Sequence, residues 1–115
     1  MNEKKRKEIV KIVFIILILI ILTLIFYTPK ADATEDISKC IGQNSILYTQ
    51  LGCGACIKQE QIFGEYYENL NIIDCFYEEE KCSEIEYTPT WIINEEKYVG
   101  VQEIEKLKQL TNCSK

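Results

Sequence analysis

The sequence predicts an α/β domain, a βαβ unit followed by a β-hairpin and a closing helix, preceded by a single transmembrane helix. Three observations carry this. An uncharged apolar run fills residues 12 to 27. Two short β-type runs, Ile46-Leu47-Tyr48-Thr49 and Asn71-Ile72-Ile73-Asp74-Cys75-Phe76, bracket a stretch with helical spacing. Trp91-Ile92-Ile93 and Lys97-Tyr98-Val99 flank the polar Asn94-Glu95-Glu96, the pattern of a tight hairpin.

The apolar run reaches about 19 residues when Ile9, Val10 and Lys11 are included, about 28 Å of helix against a hydrocarbon core of roughly 30 Å. Lys4, Lys5, Arg6, Lys7 and Lys11 precede or edge it, so the positive-inside rule puts residues 1–29 down as a cytoplasmic tail and anchor, with the remainder outside the cell membrane. A cleaved signal peptide is the competing reading, because Ala31-Asp32-Ala33 resembles a small-x-small cleavage site near Ala33. Either way the domain is exported. Residues 30–44 are polar and read as a tether, leaving 45–115 as the folded domain.

From Ala31 onward seven Lys stand against sixteen Asp or Glu, a net charge of -9. So acidic a domain without a basic stripe argues against nucleic-acid binding. All six cysteines lie after residue 39. A domain of this size is near the limit of what a core alone can hold, and dense cysteine points to disulfide staples and an oxidising compartment.

Within the domain, Ile46 to Thr49 suits a buried strand. A helix is expected from Gly54 to about Glu68, with Ala55, Ile62, Phe63, Tyr66 and Leu70 at helical spacing and Gln59 filling one gap. Gly64 in its middle implies a close contact or an early end. The run from Asn71 to Phe76 follows closely enough for a parallel partner strand. Glu78 to Glu86 is acidic and broken, one or two helical turns at most. After the hairpin, Gly100 opens the last helix, with Val101, Ile104, Leu107 and Leu110 on one face.

The chemistry centres on Gly52-Cys53-Gly54-Ala55-Cys56. Two cysteines three apart on a first helical turn lie about 5 to 6 Å apart at Cβ, near disulfide reach. The unpaired N–H groups and the dipole of the helix N-terminus favour the thiolate of the first sulfur. Cys53 is thus the candidate attacking thiolate and Cys56, one turn in, the resolving thiol of a thiol–disulfide oxidoreductase. Three other readings stand beside it. A zinc site would take Cys75 and Cys82 as its other half, but six residues separate that pair and the chain has no His. A structural bridge at 53 and 56 would close too short a loop to constrain the unfolded chain much. A carrier of a soft metal such as Cu(I) or Zn would lack nearby His, and Met1 is the only Met.

The succession of Leu47-Tyr48, Cys53-x-x-Cys56-Ile57-Lys58 with Phe63, cysteines at 75 and 82, Thr88-Pro89-Thr90-Trp91, and Tyr98-x-Gly100 before the last helix resembles the thioredoxin fold. It is similar to the small thioredoxin-like domains fused to or accompanying bacterial and archaeal homologues of vitamin K epoxide reductase, over about residues 45 to 113. The resemblance implies a cis bond at Pro89, facing Cys53, with the backbone of Thr88 pairing with an extended substrate segment. It implies dithiol–disulfide exchange without a cofactor or a metal. It also implies two partners, exported substrate proteins and a quinone-reducing vitamin K epoxide reductase-like membrane protein, with a reductase or isomerase of reversed electron flow as the alternative. In the resembled domains a cysteine pair corresponds to Cys75 and Cys82, which implies a structural disulfide, with a second redox relay as the alternative. Cys40 and Cys113 are left to each other by elimination, one of fifteen possible connectivities.

The chain also departs from that family. Gly54-Ala55 carries neither the His nor the Pro of stronger oxidants, so a less oxidising pair is expected. Leu47 stands where many thioredoxins hold a buried acid, leaving Glu60 as the candidate nearby base.

Overall fold

The computed structural model describes residues 1–27 and 33–114. Ala31 and Asp32 of the cleavage-like tripeptide lie outside them. Two compact units separate, Met1–Lys30 and Ala31–Lys115. The first is one helix, α1 (Glu3–Phe26), in which no residue is buried. By length and composition it can cross a bilayer, a test that a signal sequence passes as well.

The second unit is mixed α/β. Its elements in order are α2 (Glu35–Gln43), β1 (Ile46–Thr49), α3 (Gly54–Phe63), a 3₁₀ segment (Gly64–Asn69), β2 (Ile72–Asp74), a second 3₁₀ turn (Glu79–Cys82), β3 (Thr90–Ile93), β4 (Glu96–Val99) and α4 (Ile104–Thr111). The four strands form one sheet in the order β2-β1-β3-β4. β1 pairs parallel with β2 across the α3 crossover and antiparallel with β3, which pairs antiparallel with β4.

The sheet has one buried face. Leu47 lies directly opposite Trp91 and both have no exposure, whereas the neighbouring pair Ile46 and Ile92 points the other way and is half-buried. This follows from the period of two along a strand, so the expected buried strand β1 is fully buried on one face only. Onto the buried face pack Ile37 and Ile41 of α2, Phe63 of α3, Leu70, Ile104 and Leu107 of α4, and Cys113.

The largest departure from the sequence expectation is α2. Residues 30–44 were expected as a tether, but Glu35–Gln43 is a helix that contributes Ile37 and Ile41 to the core. Thr34 caps it, its side chain accepting from the Ile37 N–H, and Glu35 and Asp36 suit the positive end of the helix dipole. Gly42 makes the close packing feasible: a Cβ there would lie 2.2 Å from the Asn69 carbonyl oxygen. The folded unit therefore begins well before residue 45.

Other boundaries moved for local reasons. α3 stops at Phe63, not Glu68, because Gly64 takes φ +57° and turns the chain into 3₁₀ geometry. Nothing lies within 4 Å of a Cβ added there, so Gly64 ends the helix and makes no close contact. β2 is confined to Ile72–Asp74, and α4 starts at Ile104, leaving Val101 in the preceding loop.

The hairpin turn places Asn94 at φ +51° and Glu95 at φ +67°, the two left-handed positions of a type I′ loop. Asn tolerates this conformation and Glu does not. Glu95→Gly is expected to stabilise the domain by about 0.5–1 kcal/mol, the relief of left-handed strain exceeding the entropy Gly adds to the unfolded chain. Thermal unfolding checks this, with a midpoint rise of about 4 °C expected.

Candidate active site

Two loops meet at one end of the sheet. The first leaves β1 through Gln50-Leu51-Gly52, with Gly52 at φ +84°, and delivers Cys53 as the N-cap of α3. There its Sγ accepts the Cys56 N–H at 3.2 Å, satisfying one of the otherwise unpaired donors of the helix start. The two cysteines are joined as a disulfide with Cα atoms 5.2 Å apart. Cys53 is partly exposed and Cys56 is buried, so a reagent from solvent meets Cys53 first.

The second loop is Tyr87-Thr88-Pro89, entering β3 with a cis Thr88–Pro89 bond. The Thr88 carbonyl oxygen lies 3.4 Å from Cys53 Sγ. In the disulfide that sulfur carries no hydrogen; once reduced, its S–H can donate to this carbonyl. Pro89 is buried, and its own carbonyl accepts the Gly100 N–H at 2.7 Å. The chain thus brings Cys53, Cys56, Thr88 and Pro89 into one place.

The remaining four expected site residues lie in two other bridges. Cys75 pairs with Cys82 across a sequence separation of 7, and Cys40 with Cys113 across 73. Among the described residues no group of three or more His, Cys, Asp or Glu converges as a metal cage. The four sulfurs that a zinc site would share are divided between the 53–56 and 75–82 disulfides.

Beside the cysteine pair is a cleft of ≈ 260 Å³ lined by Thr49, Cys53, Cys56, Glu60, Tyr67 and Asp74 among others. Burial pushes the Tyr67 hydroxyl above its ordinary pKa of 10.0; a Thr49 hydrogen bond opposes the shift, and the Glu60 and Asp74 carboxylates add to it. At neutral pH it is a neutral hydroxyl sharing the cleft with Glu60 and Asp74. Leu47 is sealed in the core, so β1 supplies no acid here, and Glu60 lines the same cleft as Cys56.

Asp74 was not singled out by the sequence. Its Oδ1 accepts the Leu51 N–H at 3.2 Å and the Phe76 N–H at 2.9 Å, lashing the loop before Cys53 to the loop that starts at Cys75. An Asp at a strand end is a signal for such a turn, but its second partner is 23 residues away. These loops and the start of α3 also carry exposed apolar side chains. Leu51, Ile57, Phe76, Tyr77 and Tyr87 are exposed, and Val99 is the one other large apolar side chain exposed among the described residues after 32. Phe76 and Tyr77 stack edge to face with centroids 5.0 Å apart. Leu51 and Ile57 line the cleft of Cys53 and Cys56 itself, and exposed apolar side chains at a cleft mark a place of contact with other molecules.

No family model matches the chain. Among curated proteins it is similar to a thiol-disulfide oxidoreductase of Arabidopsis thaliana, LTO1. The two are 33% identical over 79 residues, an alignment covering 59% of this chain and 21% of the relative. The chain therefore spans about a fifth of that relative's length. Together with cysteines at disulfide distance at the head of a helix, this similarity supports a thiol–disulfide oxidoreductase role.

Proposed function

We propose that this protein is a membrane-anchored thiol–disulfide exchanger of thioredoxin-like fold, working outside the cytoplasm with Cys53 and Cys56 as its redox pair. The observation that carries the proposal is the position of Cys53: at the N-cap of α3, the more accessible sulfur of a disulfide, 3.4 Å from a backbone carbonyl that an extended chain can use. The sheet order, the parallel β1–β2 unit and the hairpin before α4 are those expected of that fold.

The exchange balances as follows. A substrate cysteine thiolate attacks Cys53 Sγ; a substrate–Cys53 bond forms and the Cys53–Cys56 bond breaks, leaving Cys56 as the thiolate. A second substrate thiolate then attacks the substrate sulfur of the mixed disulfide and Cys53 departs. The substrate loses two electrons, which the pair gains; its two thiol protons pass to water as its thiolates form, and the released Cys53 and Cys56 thiolates take protons back from water. The N–H groups at the head of α3 stabilise the departing Cys53 thiolate. Thr88 holds the substrate backbone as a short added strand, and Leu51, Ile57 and Tyr87 cover the residues flanking its cysteine. A disulfide of a vitamin K epoxide reductase-like membrane protein would take the electrons onward. α1 as an uncleaved anchor would keep the domain and that partner in one plane, raising their effective concentration.

The test is Cys56→Ala. Its lone Cys53 thiolate attacks a substrate disulfide and has no neighbour to release the adduct, so mixed disulfides through Cys53 are expected to accumulate under oxidising growth. They should be visible as reductant-sensitive bands and absent in Cys53→Ala. Lack of such adducts sinks the proposal. The resting state of the wild-type pair in cells gives the direction: mostly oxidised for a donor of disulfides, mostly reduced for a reductase or isomerase.

A further inference from the structure

The exposed side of α3 carries Lys58, Glu60 and Gln61, yet Gln59 between them has no exposure at all. A buried amide is unfavourable unless its hydrogen bonds are made. Here they are made to two distant segments. Gln59 Oε1 accepts the Trp91 indole Nε1–H at 3.0 Å and the Gln102 backbone N–H at 2.7 Å, while its Nε2 donates to the Gln102 carbonyl at 3.0 Å.

Those partners are not arbitrary parts of the fold. Gln59 is three residues past Cys56 on α3. Trp91 is two residues past Pro89 on β3. Gln102 is two residues past Gly100, whose N–H holds the Pro89 carbonyl. One amide therefore references both walls of the site, the wall bearing Cys53 and the wall bearing Thr88. An apolar side chain of similar size would fill the same space without directional bonds, and it would orphan the Trp91 and Gln102 donors.

We propose that Gln59 is a positioning residue for the exchange reaction, fixing the offset between Cys53 Sγ and the Thr88 carbonyl so that a polypeptide can engage both at once. The inference rests on the exchange function proposed above. It predicts a dissection by substrate. A polypeptide needs its backbone on Thr88 and its sulfur on Cys53, so a small displacement of one wall spoils the alignment. A small dithiol needs the sulfur alone and is indifferent to Thr88.

The experiment uses the oxidised full-length protein in detergent and measures its reduction by dithiothreitol and by an extended peptide carrying two cysteines. For Gln59→Met the peptide rate is expected to fall about tenfold or more, while the dithiothreitol rate stays within about twofold, since ångström-scale misplacement removes the benefit of orientation. Ile41→Val, in the core on α2, a helix that carries none of Gln59, Trp91 and Gln102, serves as the stability control and should leave the ratio of the two rates unchanged. Trp91→Phe keeps a ring in the core but removes the Nε1–H. It should shift the ratio in the same direction by a smaller factor, and it carries the test if Gln59→Met fails to fold. A ratio that matches wild type in both variants, or rates that fall together in proportion to lost stability, overturns the assignment. A wild-type protein inert to both reductants instead overturns the exchange function itself.

Discussion

Cys40→Ala combined with Cys113→Ala is expected to destabilise the domain by about 4 kcal/mol, the chain-entropy value for a loop of this length. The bridge joins residues 73 apart and so ties the start of the folded unit to its end. Without it the unfolded chain regains the freedom of nearly the whole domain. A domain of this size holds roughly 5–15 kcal/mol in total, so the loss is a large share. On the usual scaling for small domains the unfolding midpoint should fall by about 16–32 °C. Both cysteines must be changed together: a single variant leaves a thiol that can attack the Cys53–Cys56 disulfide and confuse the measurement. Thermal unfolding in the absence of reductant reads the effect. A drop of only a few degrees would mean that the unfolded chain is already compact or that the core alone holds α2. The same treatment of Cys75 and Cys82, which close a much shorter loop, is expected to lose about 2.5 kcal/mol.

The parts of the fold that were legible in the sequence are those whose cause is local. The hairpin shows because Asn94 and Glu95 separate two β-type runs, whereas the end of α3, expected near Glu68, falls at Phe63, Gly64 offering an early end only as one of two readings. The cysteine pair was legible for the same reason: motif, cap and helix start fall within four consecutive residues. What stayed hidden depends on distant partners. Gln59 was visible as a polar gap in an apolar pattern, but its partners come 32 and 43 residues later. Residues 30–44 looked like a tether because they are mostly polar. Yet Thr34, Glu35, Asp36 and the Ile37–Ile41 spacing are an N-terminal helix signature once Gly42 is taken as a packing residue. Gly42 could not be so read from the sequence, since its reason for being Gly is a carbonyl at Asn69.

Gly42→Ala is accordingly expected to destabilise by about 3 kcal/mol, the upper end for inserting a methyl group into a filled space. The added Cβ would meet the Asn69 oxygen at 2.2 Å and the Leu70 Cα at 3.0 Å. Both belong to backbone, which cannot rotate aside as a side chain would. Helix propensity alone predicts the opposite sign, a gain of about 1 kcal/mol for Gly→Ala, so the direction of the change decides which effect wins. A stabilised variant would show that α2 stands off from the Asn69–Leu70 backbone. A double-mutant cycle adds a second reading. Gly42 and Cys40 lie two residues apart on one short helix, and once the disulfide is gone α2 can shift to relieve the clash. The combined loss should therefore be smaller than the sum of the separate ones. Cys40 and Gly42 lie on α2 and do not line the cleft of Cys53 and Cys56, so the exchange rate per folded molecule should stay at the wild-type value. That separates what α2 does, which is to close the core, from what the Cys53 loop does.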